Sequence, residues 1–98
     1  MLNIILQEAK EVRAKYPKGL NQGRCLCASS ELVERLRNKN IQCCIQFGIF
    51  NNQKHAWVDV WTSEGVKLLD VTADQWGDNV PEIIFDKMIN YPQYGWEE

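Results

Sequence analysis

The chain has 98 residues, a net charge of −2 and 45% hydrophobic residues. This length supports one domain, residues 1–98, with one small core. The sequence has no long run of basic residues, which argues against a nucleic-acid partner because phosphate recognition needs clustered lysine and arginine. No stretch reaches the ~20 apolar residues of a membrane span, so we expect no membrane partner.

The N-terminal part of the chain has the apolar spacing of helices. Apolar residues recur every three or four positions over residues 3–16, which predicts a first amphipathic helix. Residues 16–23 contain one proline and two glycines and predict a loop. A second helix is predicted over residues 25–39, and Asn40 is expected to take the left-handed conformation that ends a helix. The inward face of the second helix is predicted to comprise Ala28, Leu32, Val33 and Leu36.

After the second helix the pattern becomes typical of strands. Residues 41–50 are rich in β-forming side chains, and residues 55–61 alternate between two faces. Residues 62–65 form a turn signal, after which residues 66–72 are predicted to return as the partner strand of a hairpin.

The C-terminal part is less regular. Residues 82–86 predict a short edge strand, and the aromatic tail, residues 90–98, is expected to pack across the body of the domain. The predicted fold is therefore α+β, with two N-terminal helices packed on an antiparallel β-meander.

The hairpin places the chain's single histidine near a carboxylate. If Ser63 and Glu64 are the central turn residues, Trp57 pairs with Asp70, which then lies on the same face as His55 and one diagonal step away. A slip of one residue would put that charge among apolar side chains, where it is costly. The alternation thus predicts a carboxylate–imidazole pair. Capping of the turn at residues 72–75 is the alternative role for Asp70.

Cys25 is the residue that would complete a catalytic group. It lies at the first turn of the second helix, whose positive end stabilises a thiolate and lowers the thiol pKa. A neighbouring imidazolium would lower that pKa further. Cys25 and His55 can meet if the second helix packs on the His55 face of the sheet. Together with Asp70 they would supply a nucleophile, a base and an orienting group.

Five short motifs follow one another along the chain: "GRC" (23–25), "NI" (40–41), "FG" (47–48), "HAWVDV" (55–60) and "LDVT" (69–72). In order and spacing they resemble the core of the transglutaminase-like superfamily of cysteine enzymes, whose catalytic core is papain-like. The second half also resembles small bacterial or phage members, including the leader peptidases of lasso-peptide pathways.

The resemblance implies a catalytic triad without a cofactor. Cys25 would be the nucleophile, His55 the general base and acid, and Asp70 the residue that orients the imidazole. Leu26 and Val71 stand where the larger family members have tryptophan and proline, and the chain is short. These departures favour hydrolysis of an amide or peptide bond, by a peptidase or deamidase, over crosslinking.

The resemblance also implies an oxyanion site and a cleft. The backbone N–H of Cys25 would be one oxyanion donor, and an upstream side chain, Gln22 or Asn21, would be the other. Trp57 is expected in the core or in the wall of the cleft.

The cysteines allow two alternatives to catalysis. A zinc site is disfavoured because the C-x-C and C-C spacings differ from structural zinc knuckles, and because Cys43 and Cys44 should point to opposite faces of a strand. Disulfides are disfavoured by the close spacing within each pair. The absence of a signal-peptide pattern indicates a cytoplasmic protein, in which the thiols are expected to be reduced. No metal is expected.

Two classes of function therefore stay open at the level of sequence. The favoured one is a cytoplasmic cysteine hydrolase with a protein or peptide substrate, in which a partner protein could complete the cleft. The alternatives are a non-catalytic interaction module, which would bind a peptide through an edge strand or the aromatic tail, and an acyl transferase.

Overall fold

A computed structural model describes residues 2–19, 23–77 and 79–96 of the chain. Helix α1 spans Leu2–Lys15 and helix α2 spans Cys25–Asn38, each within one residue of its prediction. Asn40 has a φ of 61°, so the left-handed residue predicted after α2 is confirmed. None of the helices in the described chain is both long and apolar enough to cross a membrane.

Five strands follow the helices: β1 (Cys43–Phe50), β2 (Gln53–Thr62), β3 (Gly65–Asp70), β4 (Ile84–Asp86) and β5 (Tyr94–Gly95). They form one antiparallel sheet in the order β4-β3-β2-β1-β5. Helices followed by this sheet confirm the predicted α+β fold. The last strand, β5, pairs with the end of β1 and adds an edge that the sequence did not predict. A 3-10 turn at Ala73–Trp76 lies between β3 and β4.

The hairpin of β2 and β3 has the predicted register. Thr62 pairs with Gly65 around a two-residue turn, and Val58 pairs with Leu69. Asp70 consequently lies level with Trp57, on the face that carries the odd-numbered side chains of β2.

The sheet is apolar on both faces, and a different part of the chain covers each one. Both helices pack on the face that carries the even-numbered residues of β2. The chain that follows β3 covers the other face, where Tyr94 and Ile84 pack against Trp57. The helix-covered core comprises Ile5, Ala9, Val12, Ala28, Leu32, Val33, Leu36, Ile41, Cys43, Val58, Val60, Leu69 and Val71.

This arrangement corrects one expectation. The condition stated for a Cys25–His55 contact is that the second helix packs on the His55 face, whereas α2 packs on the face of Val58 and Val60. The physical reason is volume: the small branched side chains of that face leave room for a helix, while the opposite face is filled by Trp57 and the aromatic tail.

A close approach at Gly48 joins β5 to the body of the sheet. A Cβ atom at this position would meet the carbonyl oxygen of Gly95 and would lie 2.6 Å from Cη2 of Trp57. Neither the backbone nor a fully buried ring can easily give way. We therefore expect Gly48→Ala to lower the free energy of unfolding by about 1–3 kcal/mol in urea denaturation.

Gly77→Ala is the matched control for this prediction. Gly77 has an extended backbone with φ of 173°, and its nearest contact, Val80, would lie at an ordinary 3.4 Å from the new Cβ. Its substitution should change the free energy of unfolding by no more than about 0.5 kcal/mol. Equal effects at the two glycines would contradict the close approach.

Candidate active site

Asp70 and His55 form the buried centre of the site. Oδ2 of Asp70 lies 2.6 Å from Nε2 of His55. The exposed fraction of each side chain is no more than 1%. The other oxygen, Oδ1, accepts the backbone N–H of Thr72 at 2.9 Å. The two roles considered for Asp70 are thus combined, because one oxygen faces the imidazole and the other caps the turn after β3.

Tyr94 is a further member of the cluster. Its hydroxyl donates to Oδ2 of Asp70 at 2.6 Å, the same oxygen that faces His55. Its ring packs edge-on against Phe50 with centroids 4.8 Å apart. Burial and the adjacent carboxylate raise the pKa of Tyr94 far above its ordinary value, so the phenol keeps its proton and remains a donor.

Cys25 interacts with His55 and lines the same pocket. The thiol hydrogen-bonds with the imidazole and with the backbone N–H of Ala56. Because Nε2 of His55 faces Asp70, Nδ1 is the ring nitrogen left for the sulfur. The structure therefore brings together the three residues predicted as a triad, in the order thiol, imidazole and carboxylate.

The geometry of β2 explains how this contact forms although α2 packs on the opposite face. Trp61 donates its backbone N–H to the Gln42 carbonyl. The odd-numbered residues of β2 are therefore the ones whose backbone groups hydrogen-bond with β1. By this alternation the N–H of Ala56 points away from β1. The β2–β3 pairs begin only at Val58, so the N–H of Ala56 lies beyond them. The thiol of Cys25 hydrogen-bonds with this N–H, which brings the first residue of α2 next to His55.

The charges of the pair support one another. Burial lowers the pKa of His55, but hydrogen bonds and charge interactions with Asp70 and Cys25 outweigh it and raise the pKa to about 9. Burial raises the pKa of Cys25, while the hydrogen bond and charge of His55 and the Ala56 N–H more than offset it, so the pKa of the thiol is lowered. Both shifts favour a thiolate beside an imidazolium over the neutral pair.

A pocket of about 190 Å³ opens beside the thiol. Two apolar side chains, Leu26 and Phe47, are 48% and 61% exposed at this point. A second pocket, of about 270 Å³, lies along α1 and contains no cysteine or histidine among its lining residues. The pocket at the thiol is lined by Cys25, Leu26, Phe47, Gly48, Lys54, His55 and Ala56.

The remaining predicted site residues have different outcomes. Trp57 is fully buried and donates its indole N–H to Asp59 at 3.2 Å, so it belongs to the core beneath the site and has no surface for a substrate. Asn21 and Gln22 lie outside the described residues. Cys25 is the first residue of α2. Its backbone N–H therefore has no acceptor within the helix.

Two side chains that the sequence did not single out support the site. Gln75 accepts the backbone N–H of Gly23 at 2.8 Å, which ties the loop before Cys25 to the turn after Asp70. Arg13 of α1 binds Asp74 through two hydrogen bonds of 2.7 and 2.6 Å in the same turn. Neither contact could be predicted from the neighbouring sequence, because each joins residues more than 50 positions apart.

The other cysteines lie apart from this chemistry. All four thiols are free, Cys27 is exposed, and Cys43 is buried with its sulfur 3.8 Å from the Val33 carbonyl oxygen. Within residues 2–19, 23–77 and 79–96, no three cysteine, histidine or carboxylate side chains are grouped so that they could hold a metal ion.

Fold and site together define an α+β domain in which a half-buried cysteine at the start of the second helix meets a buried His–Asp pair from the sheet. Comparison of the chain with models of protein families, with curated proteins and with solved structures finds no match in any of the three. The site's own chemistry is therefore the basis on which a function can be argued.

Proposed function

We propose that this protein is a cysteine hydrolase that cleaves an amide or peptide bond through Cys25, His55 and Asp70. The observation that carries the proposal is the continuous hydrogen-bonded series from the thiol through the imidazole to a buried carboxylate. A series of nucleophile, base and orienting group is the arrangement by which a thiol is activated for acyl transfer.

In the first half-reaction the Cys25 thiolate attacks the substrate carbonyl carbon and forms a tetrahedral intermediate. The C–N bond then breaks, and the His55 imidazolium gives its proton to the departing nitrogen, which leaves as an amine or as ammonia. The acyl group remains on Cys25 as a thioester. Asp70 stabilises the imidazolium and holds the ring so that Nδ1 faces the sulfur.

In the second half-reaction neutral His55 takes a proton from water as the water oxygen attacks the thioester carbonyl. Collapse of this intermediate breaks the C–S bond, releases the carboxylic acid and restores the thiolate–imidazolium pair. The balance is one water consumed for each C–N bond cleaved. If an amine reached the thioester before water, the same steps would give acyl transfer.

The negative charge that develops on the carbonyl oxygen needs a donor. The backbone N–H of Cys25 belongs to the first turn of α2, where N–H groups are unpaired within the helix and the helix dipole is positive. Removal of one such donor from an oxyanion site costs about 10²–10³ in rate in other hydrolases. We assign this role to the Cys25 N–H, with Gln22 and Asn21 as the candidates for a second donor.

We further propose a transglutaminase-like family assignment, on the resemblance of the ordered motifs around Cys25, His55 and Asp70. A protein or peptide is the proposed substrate, and a partner protein could complete the shallow cleft. A cytoplasmic location is proposed because the thiols are free, as a reducing compartment would keep them.

Selective alkylation tests this proposal. An ordinary thiol is only about 0.3% ionised at pH 6, so iodoacetamide at that pH should label Cys25 at least tenfold faster than exposed Cys27. His55→Ala should remove the difference. Cleavage after Arg24 and Arg35 leaves both cysteines on one peptide, so fragmentation mass spectrometry must assign the label.

Two variants make the alkylation result decisive. Cys27→Ser should retain the fast label, and Cys25→Ser should lose it, with circular dichroism reporting that each variant is folded. Equally slow labelling of all four thiols in the folded wild-type protein would overturn the hydrolase and leave a non-catalytic interaction module.

A further inference from the structure

The exposed apolar residues at the mouth of the site form the feature that the proposed chemistry does not use. Leu26 follows the nucleophile in the first turn of α2, and Phe47 projects from β1 opposite Ala56. They are 48% and 61% exposed, yet both line the same pocket as Cys25 and His55.

Exposed apolar side chains are common and usually need no explanation. Ile89, for example, is 87% exposed and lines neither of the two pockets described above. Leu26 and Phe47 differ because two separate elements bring them to the one point where a thiol meets an imidazole. Both would lose exposure to water if a group bound next to the sulfur.

We propose that Leu26 and Phe47 form an apolar subsite that selects substrates with an apolar group next to the carbon that Cys25 attacks. This inference rests on the proposed hydrolase and specifies its substrate class as peptides or acyl amides with an apolar residue beside the scissile bond.

The physical basis is the burial of apolar area on both partners. A phenyl or branched alkyl group between the two side chains would remove its own surface and theirs from water. A substrate with a small polar group at the same position gains none of this. Since Lys54 also lines the pocket, a comparison between probes must keep their charge constant.

Neutral electrophiles provide a test that requires no knowledge of the natural substrate. N-benzyl iodoacetamide and N-(2-hydroxyethyl) iodoacetamide carry the same reactive carbon and differ in the apolar group. Cys25 should react about tenfold faster with the benzyl probe, a difference equivalent to about 1.4 kcal/mol. Exposed Cys27 on the same helix should show no such preference.

Exchange of the subsite residues supplies the controls. Leu26→Gln keeps a good helix former and Phe47→Thr keeps a good strand former, so both variants should fold and lose the preference at Cys25. Ile89→Thr should keep it. The expected loss in both subsite variants supports the subsite.

The possible failures are distinguishable. If Cys25 reacts quickly but equally with both probes, the subsite is wrong and the hydrolase stands. If Cys25 reacts no faster than Cys27 with either probe, the proposed hydrolase is wrong, and the subsite with it.

Discussion

Replacement of Asp74 by alanine is expected to lower the free energy of unfolding by about 3–5 kcal/mol. Asp74 and Arg13 form a bidentate ion pair with N–O distances of 2.7 and 2.6 Å, and their side chains are only 3% and 9% exposed. Removal of the carboxylate would leave the guanidinium buried without its main counter-charge. Urea denaturation monitored by tryptophan fluorescence would measure the loss.

A surface pair provides the comparison for Asp74→Ala. Glu64 and Lys67 also form an ion pair, but Glu64 is 58% exposed. Pairs of this kind contribute about 0–1 kcal/mol, so Glu64→Ala should change the unfolding midpoint little. Equal losses for the two variants would show that burial of the Arg13–Asp74 pair carries no special cost.

The double variant Arg13→Met with Asp74→Leu separates the buried charge from the packing. If the cost of Asp74→Ala comes mainly from an uncompensated charge, removal of both charges should recover much of the stability. Failure to recover would instead indicate that the hydrogen bond from Arg13 to the Val71 carbonyl, at 2.9 Å, is the larger contribution.

The second large effect concerns the chain's single histidine. His55 should titrate with a pKa of about 9, well above its ordinary value of 6.5, and its ring resonance should be unambiguous in a proton NMR titration. The protein must carry no histidine tag. Asp70→Asn removes the negative charge beside Nε2, so the pKa of His55 should fall towards 6.5, and a complete fall would be equivalent to about 3.4 kcal/mol.

Tyr94→Phe should shift the same pKa in the opposite direction. In the unmodified protein the Tyr94 hydroxyl and the imidazole share Oδ2 of Asp70. Without the hydroxyl, the carboxylate should interact more strongly with the imidazolium. Tyr91→Phe is the control. The centroid of the Tyr91 ring lies 6.5 Å from that of Tyr94, and loss of the Tyr91 hydroxyl should leave the pKa of His55 unchanged. A His55 pKa near 6.5 in the unmodified protein would contradict the whole arrangement.

The raised pKa of His55 also fixes the sign of a stability effect. Protonated His55 stabilises the fold fully below pH 6.5, and this contribution is lost as the pH rises through about 9. The lowered pKa of Cys25 acts in the opposite sense, with stability present above pH 9 and lost as the pH falls through the folded-state value. Between about pH 6.5 and pH 9 the two contributions to stability partly cancel, because the Cys25–His55 pair in the folded state and the two neutral groups in the unfolded state hold the same number of protons.

Cys25→Ser removes one side of this cancellation. In that variant the stability should decrease as the pH rises above 6.5, whereas the unmodified protein should change little in the same range. Urea midpoints measured between pH 6 and pH 9 for both proteins would test the difference, and parallel curves would contradict the thiolate–imidazolium pair.

The contacts that the sequence predicted are those fixed by local rules. The pairing of His55 with Asp70 follows from alternation along β2 and from a two-residue turn, which together leave one register that keeps the charge out of the helix-covered core. The start of α2 at Cys25 follows from the glycine-containing loop and the helical spacing after it.

The contacts that escaped prediction depend on distant parts of the chain. β2 is apolar on both faces, so its pattern alone does not state which face a helix will cover. Tyr94 reaches Asp70 from 24 residues away, through a strand of only two residues whose pairing has no periodic signal. Trp57 was assigned to the cleft or the core by its face alone, and packing of the tail over that face decides for the core.

The contacts of Gln75 and Asp70 have a consequence for how the site keeps its dimensions. Residues 70–75 touch the imidazole at one end and the backbone just before the nucleophile at the other. Any displacement of this short segment would carry both ends with it. These six consecutive residues thus set the separation between the sulfur and the imidazole ring. Small movements of the sheet leave the length of this covalent segment unchanged.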